Sequence, residues 1–237
     1  MNFEGKNTKV NYHNLGLIPY KKAWDLQEKY FAEIVAVKQN NKALKENKPA
    51  NNYLLFCEHP PVYTLGKSGE SSHLLINEEQ LKSKGAEFYC INRGGDITFH
   101  GPGQITGYPI LDLDNFNLSI KNYIFGLEEV LIRVLAHYKI VADRSAGETG
   151  VWLDVGNPIK ARKIGAIGAR ISQMVCMHGF ALNVNTNLDY YNHIIPCGIV
   201  DKGVTSLQKE LGKTIAIDEV QKLLLEEFKL VFGMVLD

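Results

Sequence analysis

The spacing of apolar residues predicts three long amphipathic helices. Residues 19–38 repeat large apolar side chains at helical spacing, and Pro19 stands near the predicted first turn. Residues 119–138 carry the clearest stripe of this kind, and a third stripe lies near 218–232. A helix with one apolar face needs a surface to cover, so we expect the middle helix to lie on a sheet.

Shorter apolar segments predict strands between these helices. Residues 53–66 predict a strand, a break at Pro60–Pro61 and a second strand that returns. Residues 40–52 are charged and rich in asparagine, which predicts an exposed loop. Between residues 139 and 185, short alternating segments separated by glycine predict consecutive, largely antiparallel strands. The pattern therefore predicts an α+β fold, a mixed, largely antiparallel sheet with flanking helices.

Composition limits the class of protein. The 237 residues are 45% hydrophobic, which is enough for one sizeable core, and we expect a single domain over 1–237 with its core at about 10–230. Lys and Arg together number 26, as do Asp and Glu, so zero net charge gives no reason to expect nucleic acid as a partner. The sequence shows no signal-peptide pattern at its start and no apolar run near the ~20 residues of a membrane helix. We expect a cytoplasmic protein without membrane association.

The cysteines are too scattered for a disulfide framework or a zinc ribbon. Cys57, Cys90, Cys176 and Cys197 stand far apart, with no CxxC pair. His193 is four residues from Cys197, but no second pair completes a zinc site, so we predict no bound metal.

Two short segments resemble the end of a phosphate-binding loop but lack its first glycine. LGKS at 65–68 has Pro61 at the required position, and LGKT at 211–214 has Leu207. Neither segment predicts a nucleotide site.

The segment RGGDITFHGPGQITGYP at 93–109 is the richest in glycine. Glycine lets the backbone approach a ligand closely and leaves peptide N–H groups able to point at an oxygen. Arg93, Thr98, Phe99 and His100 add donors and apolar surface, as a pocket for a small acyl ligand requires. On composition alone, a tight connection between strands is an equally good interpretation.

Lys163 and Cys197 are two further candidates for catalytic chemistry. Lys163 lies among the small residues of KARKIGAIG at 160–168, and Cys197 lies between Pro196 and Gly198, where the backbone must turn. A positive charge near a thiol lowers its pKa, and the thiolate is the nucleophile. A solvated strand lysine, an inert buried thiol and a Cys–His hydrolase dyad are the alternatives.

Five motifs in order resemble one enzyme family. HPPVYTLG at 59–66, RGGDITFHGPGQITGYP, KIGAIG at 163–168, HGFALNVN at 178–185 and NHIIPCG at 192–198 are similar to the lipoyl(octanoyl) transferases. These enzymes share their fold with the lipoate and biotin protein ligases, and the resemblance covers about residues 10–230. It departs at Lys67, where arginine is common, at Cys176, where threonine is expected, and in a longer segment before Lys163.

The resemblance implies a site and a reaction. Cys197 matches the cysteine that carries the acyl group as a thioester, and Lys163 matches the lysine that lowers its pKa and assists proton transfer. The matching substrate-binding residues are Arg93, Gly94, Gly95, Asp96, Ile97, Thr98, Phe99, His100, Ala166, Ile167, Gly168, Gly179, Phe180 and Ala181.

The same resemblance implies partners. The octanoyl donor is the phosphopantetheine arm of acyl carrier protein, with no cofactor bound by the enzyme itself. The acceptors are lysines of the lipoyl domains of 2-oxoacid dehydrogenase E2 subunits and of the glycine cleavage H protein, and we expect the enzyme to be a monomer. An ATP-dependent lipoate or biotin protein ligase is the main alternative, and a noncatalytic binding protein is a third.

Overall fold

A computed structural model describes residues 7–195 and 202–237. Twelve strands lie within these two ranges. They are β1 Lys9–Leu17, β2 Tyr53–Glu58, β3 Val62–Leu65, β4 Glu87–Cys90, β5 Ile97–His100, β6 Gln104–Ile110, β7 Asp143–Ser145, β8 Glu148–Leu153, β9 Arg162–Ser172, β10 Val175–Asn183, β11 Gly203–Val204 and β12 Val235–Leu236.

Most of these strands form one mixed sheet, in the order β12-β1-β2-β6-β10-β9-β8-β7, with β11 added beside β9. Every pair from β2 to β7 along this order is antiparallel. The pairs β12–β1, β1–β2 and β11–β9 are parallel. The predicted fold class and the antiparallel run at 139–185 are thus confirmed.

A second sheet has the order β4-β3-β5. The strand predicted to return after Pro60–Pro61 does not return along β2: it is β3, the centre of this second sheet. The two prolines separate strands of different sheets, because proline lacks the N–H that a continuous strand would donate.

Helices cover both faces of the large sheet, as the alternation along β2 shows. Leu54 and Phe56 belong to one core cluster, whereas Tyr53, Leu55 and Cys57 belong to another. The five helices of the described ranges are α1 Tyr20–Leu44, α2 Glu78–Ser83, α3 Ile120–His137, α4 Leu207–Leu211 and α5 Ile217–Phe232. Helices α3 and α5 pack in the first cluster and α1 in the second. None of the helices in the described part of the chain is long and apolar enough to cross a membrane.

Helix α1 runs six residues beyond its predicted end at 38. It takes in part of the segment predicted to be a loop and ends where Lys45 adopts the left-handed conformation, with φ 54°. Beyond residue 38 the helix is mostly solvent-exposed, so it needs no apolar stripe, and the hydrophobic pattern could not detect it.

Candidate active site

A cavity of about 660 Å³ lies against the β9–β10 hairpin and the glycine loop 93–96. Its volume is in the range of small-molecule sites, about 300–1,000 Å³. The lining residues are Tyr20, Ser68, Arg93, Gly94, Gly95, Asp96, Ile97, Thr98, His100, Tyr108, Ile124, Gly147, Glu148, Thr149, Lys163, Ala166, Ile167, Gly168, Ala169, His178, Gly179, Phe180, Ala181, Asn183, Tyr191 and Val204.

Glycine brings the loop 93–96 close to the hairpin. Gly168 pairs with Gly179 across β9 and β10, and a Cβ atom at Gly168 would lie 2.8 Å from Arg93 Nη1 and 2.9 Å from the carbonyl oxygen of Gly94. The N–H of Gly94 donates to the carbonyl of Ala169 at 3.1 Å. The absence of a side chain at Gly168 therefore permits the loop to dock on β9.

Arg93 holds this loop in shape. Its guanidinium donates to the carbonyls of Gly94 at 2.8 Å and of Asp96 at 2.7 Å. The Asp96 carboxylate in turn accepts from the N–H of Ile97 and from His73 Nδ1, each at 2.6 Å. Arg93 and Asp96 both line the cavity. Their hydrogen bonds also fix the conformation of the loop 93–96, a role that the sequence alone did not reveal.

Two buried histidines lie near the α1 side of the cavity. His59 Nδ1 donates to the carbonyl of Ile18 at 2.7 Å, so its Nε2 accepts from the Tyr108 hydroxyl at 2.7 Å. The ring of His100 stacks on Tyr20, with centroids 5.9 Å apart. Burial lowers the pKa of His59 to about 4, and burial together with the nearby His59 lowers the pKa of His100 to about 3. Both rings are neutral at neutral pH.

His178 is a third buried histidine, held in an unusual backbone conformation with φ 59°. The amide of Asn92 donates to Glu28 at 2.7 Å, so its oxygen accepts from His178 Nε2 at 2.8 Å. Burial, followed by the charges of Arg93 and Arg170, lowers the pKa of His178 to about 3. This ring is also neutral, with its tautomer fixed by Asn92.

The other end of the cavity contains Lys163. Lys163 on β9 pairs with Trp152 on β8, and its Nζ lies 4.5 Å from the indole centroid, a cation–π contact. The same Nζ donates to the carbonyl of Thr149 at 3.1 Å. Gly150, at φ 126°, would place a Cβ atom 2.7 Å from the carbonyl oxygen of Gly165 and 3.3 Å from Lys163 Cε, so glycine there makes room for both the β9 backbone and the lysine side chain.

An ion pair adjoins Lys163. Lys202 Nζ lies 2.5 and 2.6 Å from the two carboxylate oxygens of Glu148, which also accepts from Ser145 Oγ at 2.5 Å. Directly after Lys202, strand β11 pairs Val204 with Lys163.

Cys197 lies outside the described residues. On either side of residues 196–201, the N–H of Ile195 donates to the carbonyl of His73 at 2.9 Å, and Lys202 binds Glu148. Of the other thiols, Cys57 and Cys176 are fully buried, and burial raises the pKa of each to about 12. These two are protonated and shielded from reagents.

The cavity brings together nearly all the predicted substrate-binding residues that the structure describes, from Arg93 to His100, Ala166 to Gly168 and Gly179 to Ala181. Phe99 is the exception, because it is not among the lining residues. Side chains alternate along a strand, and Phe99 points into the core of the second sheet, stacked on Tyr190 at 4.5 Å.

Sequence reasoning missed several lining residues, among them Tyr20, Tyr108 and Glu148. Tyr20 and Tyr108 sit in an ordinary helix and strand, with no local signal. His178 stands in a glycine-rich segment, which was a usable signal. In the described ranges, no three His, Cys, Asp or Glu side chains converge as metal ligands.

The fold matches solved catalytic domains of the lipoate ligase class. A bipartite lipoate protein ligase from Thermoplasma acidophilum superposes with a TM-score of 0.66 at 14% identity, covering 98% of this chain and 86% of that one. A lipoate-protein ligase A structure with bound ATP gives 0.66 at 13% identity, covering 98% and 87%. The chain thus shares its fold with these lipoate protein ligases.

Sequence comparison gives the family. Residues 19–229 match the model of the lipoyl protein ligase A/B catalytic domain. An octanoyltransferase from Christiangramia forsetii is 57% identical over 95% of this chain and 97% of its own length, and one from Flavobacterium johnsoniae is 55% identical over the same shares. An octanoyltransferase from Bacteroides fragilis is 54% identical over 87% of this chain and 90% of its own. The chain belongs to the lipoyl protein ligase A/B family, and it is an acyltransferase.

Proposed function

We propose that this enzyme transfers an octanoyl group from acyl carrier protein to a lysine of a lipoyl domain, through a thioester on Cys197. The observation that carries the proposal is the glycine-walled cavity with Lys163 at one end. Val204 lies beside Lys163, and only six residues separate Val204 from Cys197 along the sequence. Relatives at 50–57% identity are octanoyltransferases, which supports the choice of acyl group.

The first half-reaction forms the acyl-enzyme. The Cys197 thiolate attacks the thioester carbonyl of the donor, and the tetrahedral oxyanion collapses as the phosphopantetheine thiolate leaves. The positive charge of Lys163 favours the Cys197 thiolate and supplies a proton to the leaving sulfur. Peptide N–H groups of the glycine-rich wall are the candidate oxyanion donors; loss of one such donor costs about 2.7–4 kcal/mol in comparable sites.

The second half-reaction forms the amide. The acceptor amine attacks the acyl-enzyme carbonyl, the C–S bond breaks, and the proton lost by the amine passes through Lys163 to the Cys197 sulfur. Thioester exchange is nearly balanced, whereas amide formation is downhill, so no ATP is consumed. The proposed acceptors are lipoyl domains of E2 subunits and the H protein, and the proposed enzyme is a cytoplasmic monomer that binds no cofactor of its own.

Mass spectrometry of the intact enzyme tests this proposal. Incubation with octanoyl-acyl carrier protein should add one octanoyl mass, located on the peptide that contains Cys197. Cys197→Ala should lose the adduct, and Cys176→Ser should keep it, because Cys176 is fully buried. An adduct on Cys197→Ala equal to that of the wild type would refute the thioester mechanism. Release of AMP from octanoate and ATP, with no acyl-enzyme, would establish a ligase instead.

A further inference from the structure

Two ammonium groups lie at the same indole ring. Lys163 Nζ is 4.5 Å from the Trp152 centroid, and Lys202 Nζ is 5.3 Å from it. The sum of these two distances is the greatest possible separation of the two nitrogens. This upper limit is close to the Debye length, which is about 10 Å at 0.1 M salt. Each lysine therefore lies in the electrostatic field of the other.

The Glu148 carboxylate is the counter-charge in this group. Its side chain is 21% exposed and that of Lys202 is 18% exposed, so solvent screens the pair only in part. Trp152 Nε1 donates to the carbonyl of Glu148 at 3.2 Å, and Lys163 donates to the next carbonyl, that of Thr149, at 3.1 Å. These bonds place Glu148, Lys202 and Lys163 around one side chain.

Burial raises the pKa of Glu148, but the hydrogen bonds from Lys202 and Ser145 and the charges of Lys202 and Lys163 outweigh it, so its pKa lies below the ordinary value. Lys163 thus already acts on this carboxylate, although Lys202 is the lysine that binds it.

The other charged groups around Lys163 have partners of their own. On β9, Arg162 binds Glu210 at 2.6 Å and also binds Asp154. On α3, Glu128 pairs with Arg144 at 3.1 Å and accepts from the N–H of Gly150.

We propose that Lys202 is a positioning residue: by binding the Glu148 carboxylate, it keeps Glu148 from pairing with Lys163 and so sets the charge state in which Lys163 acts. The inference rests on the proposed role of Lys163. It assigns a joint function to Glu148 and Lys202. Glu148 alone would favour the protonated form of Lys163, whereas Lys202 alone would disfavour it.

Competitive amine labelling of Lys163 tests the inference directly. The protein is labelled with trace acetic anhydride at a series of pH values, and acetylation of the Lys163 peptide is measured against a reference amine. Lys202→Met leaves Glu148 to face Lys163, so the labelling midpoint should rise by about 0.5–1.5 pH units. Glu148→Gln leaves Lys202 uncompensated, so the midpoint should fall by a similar amount. The double variant should return to near the wild-type midpoint.

Matched variants control for structural damage. Lys202→Arg keeps the charge and should keep the wild-type midpoint, and Lys229→Met breaks a remote pair with Glu226 on α5 and should change nothing. If one single variant fails to fold, the double variant compared with the other single variant still gives the sign of the missing effect. Shifts of equal sign, or none, would overturn the inference. Opposite shifts with no acyl group on Cys197 would instead refute the proposed function and leave the electrostatic inference standing.

Discussion

The two ends of the cavity differ in their electrostatics: one is buried and uncharged, and the other is partly exposed and charged. At one end His100 and His178 line the cavity, and the ring of His59 lies 6.0 Å from that of His100. All three are buried and neutral, each with a hydrogen-bond partner that fixes its tautomer. At the other end Lys163 lies beside an ion pair whose side chains remain partly exposed. His178 pairs with Ala169, six residues along β9 from Lys163, so the ends are about 20 Å apart at 3.3 Å per residue.

This difference suggests that the two ends affect different properties of the enzyme, one its stability and the other its reaction rate. A buried neutral histidine resists acquiring charge, so the first end is a rigid polar wall that penalises protonation. A partly exposed lysine with a nearby carboxylate can gain or lose a proton as its neighbours change. We therefore expect the histidine end to govern acid stability and the lysine end to govern the rate.

Acid should destabilise the protein through the histidine end, and this is the largest effect that we predict. The folded pKa values of about 3 to 4 lie below the unfolded value of 6.5. The unfolded chain therefore binds more protons, and the free energy of unfolding falls as pH drops from 6.5 toward 4. The loss is about 2 kcal/mol per histidine by pH 5.

Urea unfolding between pH 7 and 5 measures this loss. His100→Gln should remove about a third of the pH dependence contributed by the three histidines, whereas His13→Gln, at an exposed position on β1, should leave the slope unchanged. A slope that is the same in His100→Gln and the wild type would contradict the comparison.

Removal of the Lys163 charge should reduce the reaction rate strongly and change the stability little. Lys163→Met retains the apolar stem of the side chain but removes the charge, so octanoyl transfer should fall about 10²- to 10⁴-fold, the range of general acid–base catalysis. The pH midpoint for alkylation of Cys197 should rise, because the neighbouring positive charge is gone. Stability should change little, since the Lys163 side chain is only partly buried. An unchanged alkylation midpoint would remove Lys163 from the activation of the thiol.

The sequence predicted regular elements well and long-range polar contacts poorly. Helix α3 was predicted at 119–138 and spans Ile120–His137, because a continuous apolar stripe is a local signal. The Lys202–Glu148 pair joins residues 54 positions apart, and no spacing rule connects two ordinary surface residue types over that distance. The left-handed backbone at His178 was equally invisible, since tertiary contacts impose it on a residue that rarely adopts it.

The glycine-rich wall of the cavity could be predicted from the sequence only in part. Gly168 is one of the small residues that the sequence shows near Lys163, and in the structure its missing side chain makes room for the loop that Arg93 holds. Sequence could not reveal that Arg93 itself binds carbonyls of this loop, because the hydrogen-bond partners of an arginine depend on tertiary structure.

Gly168 lies between the two ends, so a methyl group there should affect both, by the smallest amount that we predict. In Gly168→Ala the new Cβ would be 2.9 Å from the carbonyl oxygen of Gly94, so the loop must shift. Overpacking of this kind costs about 1–3 kcal/mol, reduced by about 0.4–1 kcal/mol because alanine restricts the unfolded chain. Gly156→Ala is the matched control, since nothing lies within 4 Å of its Cβ position. Urea unfolding should separate the two variants, and KM for the acyl donor should rise in Gly168→Ala alone. Equal stability and equal KM would show that the loop does not depend on Gly168 for its contact with β9.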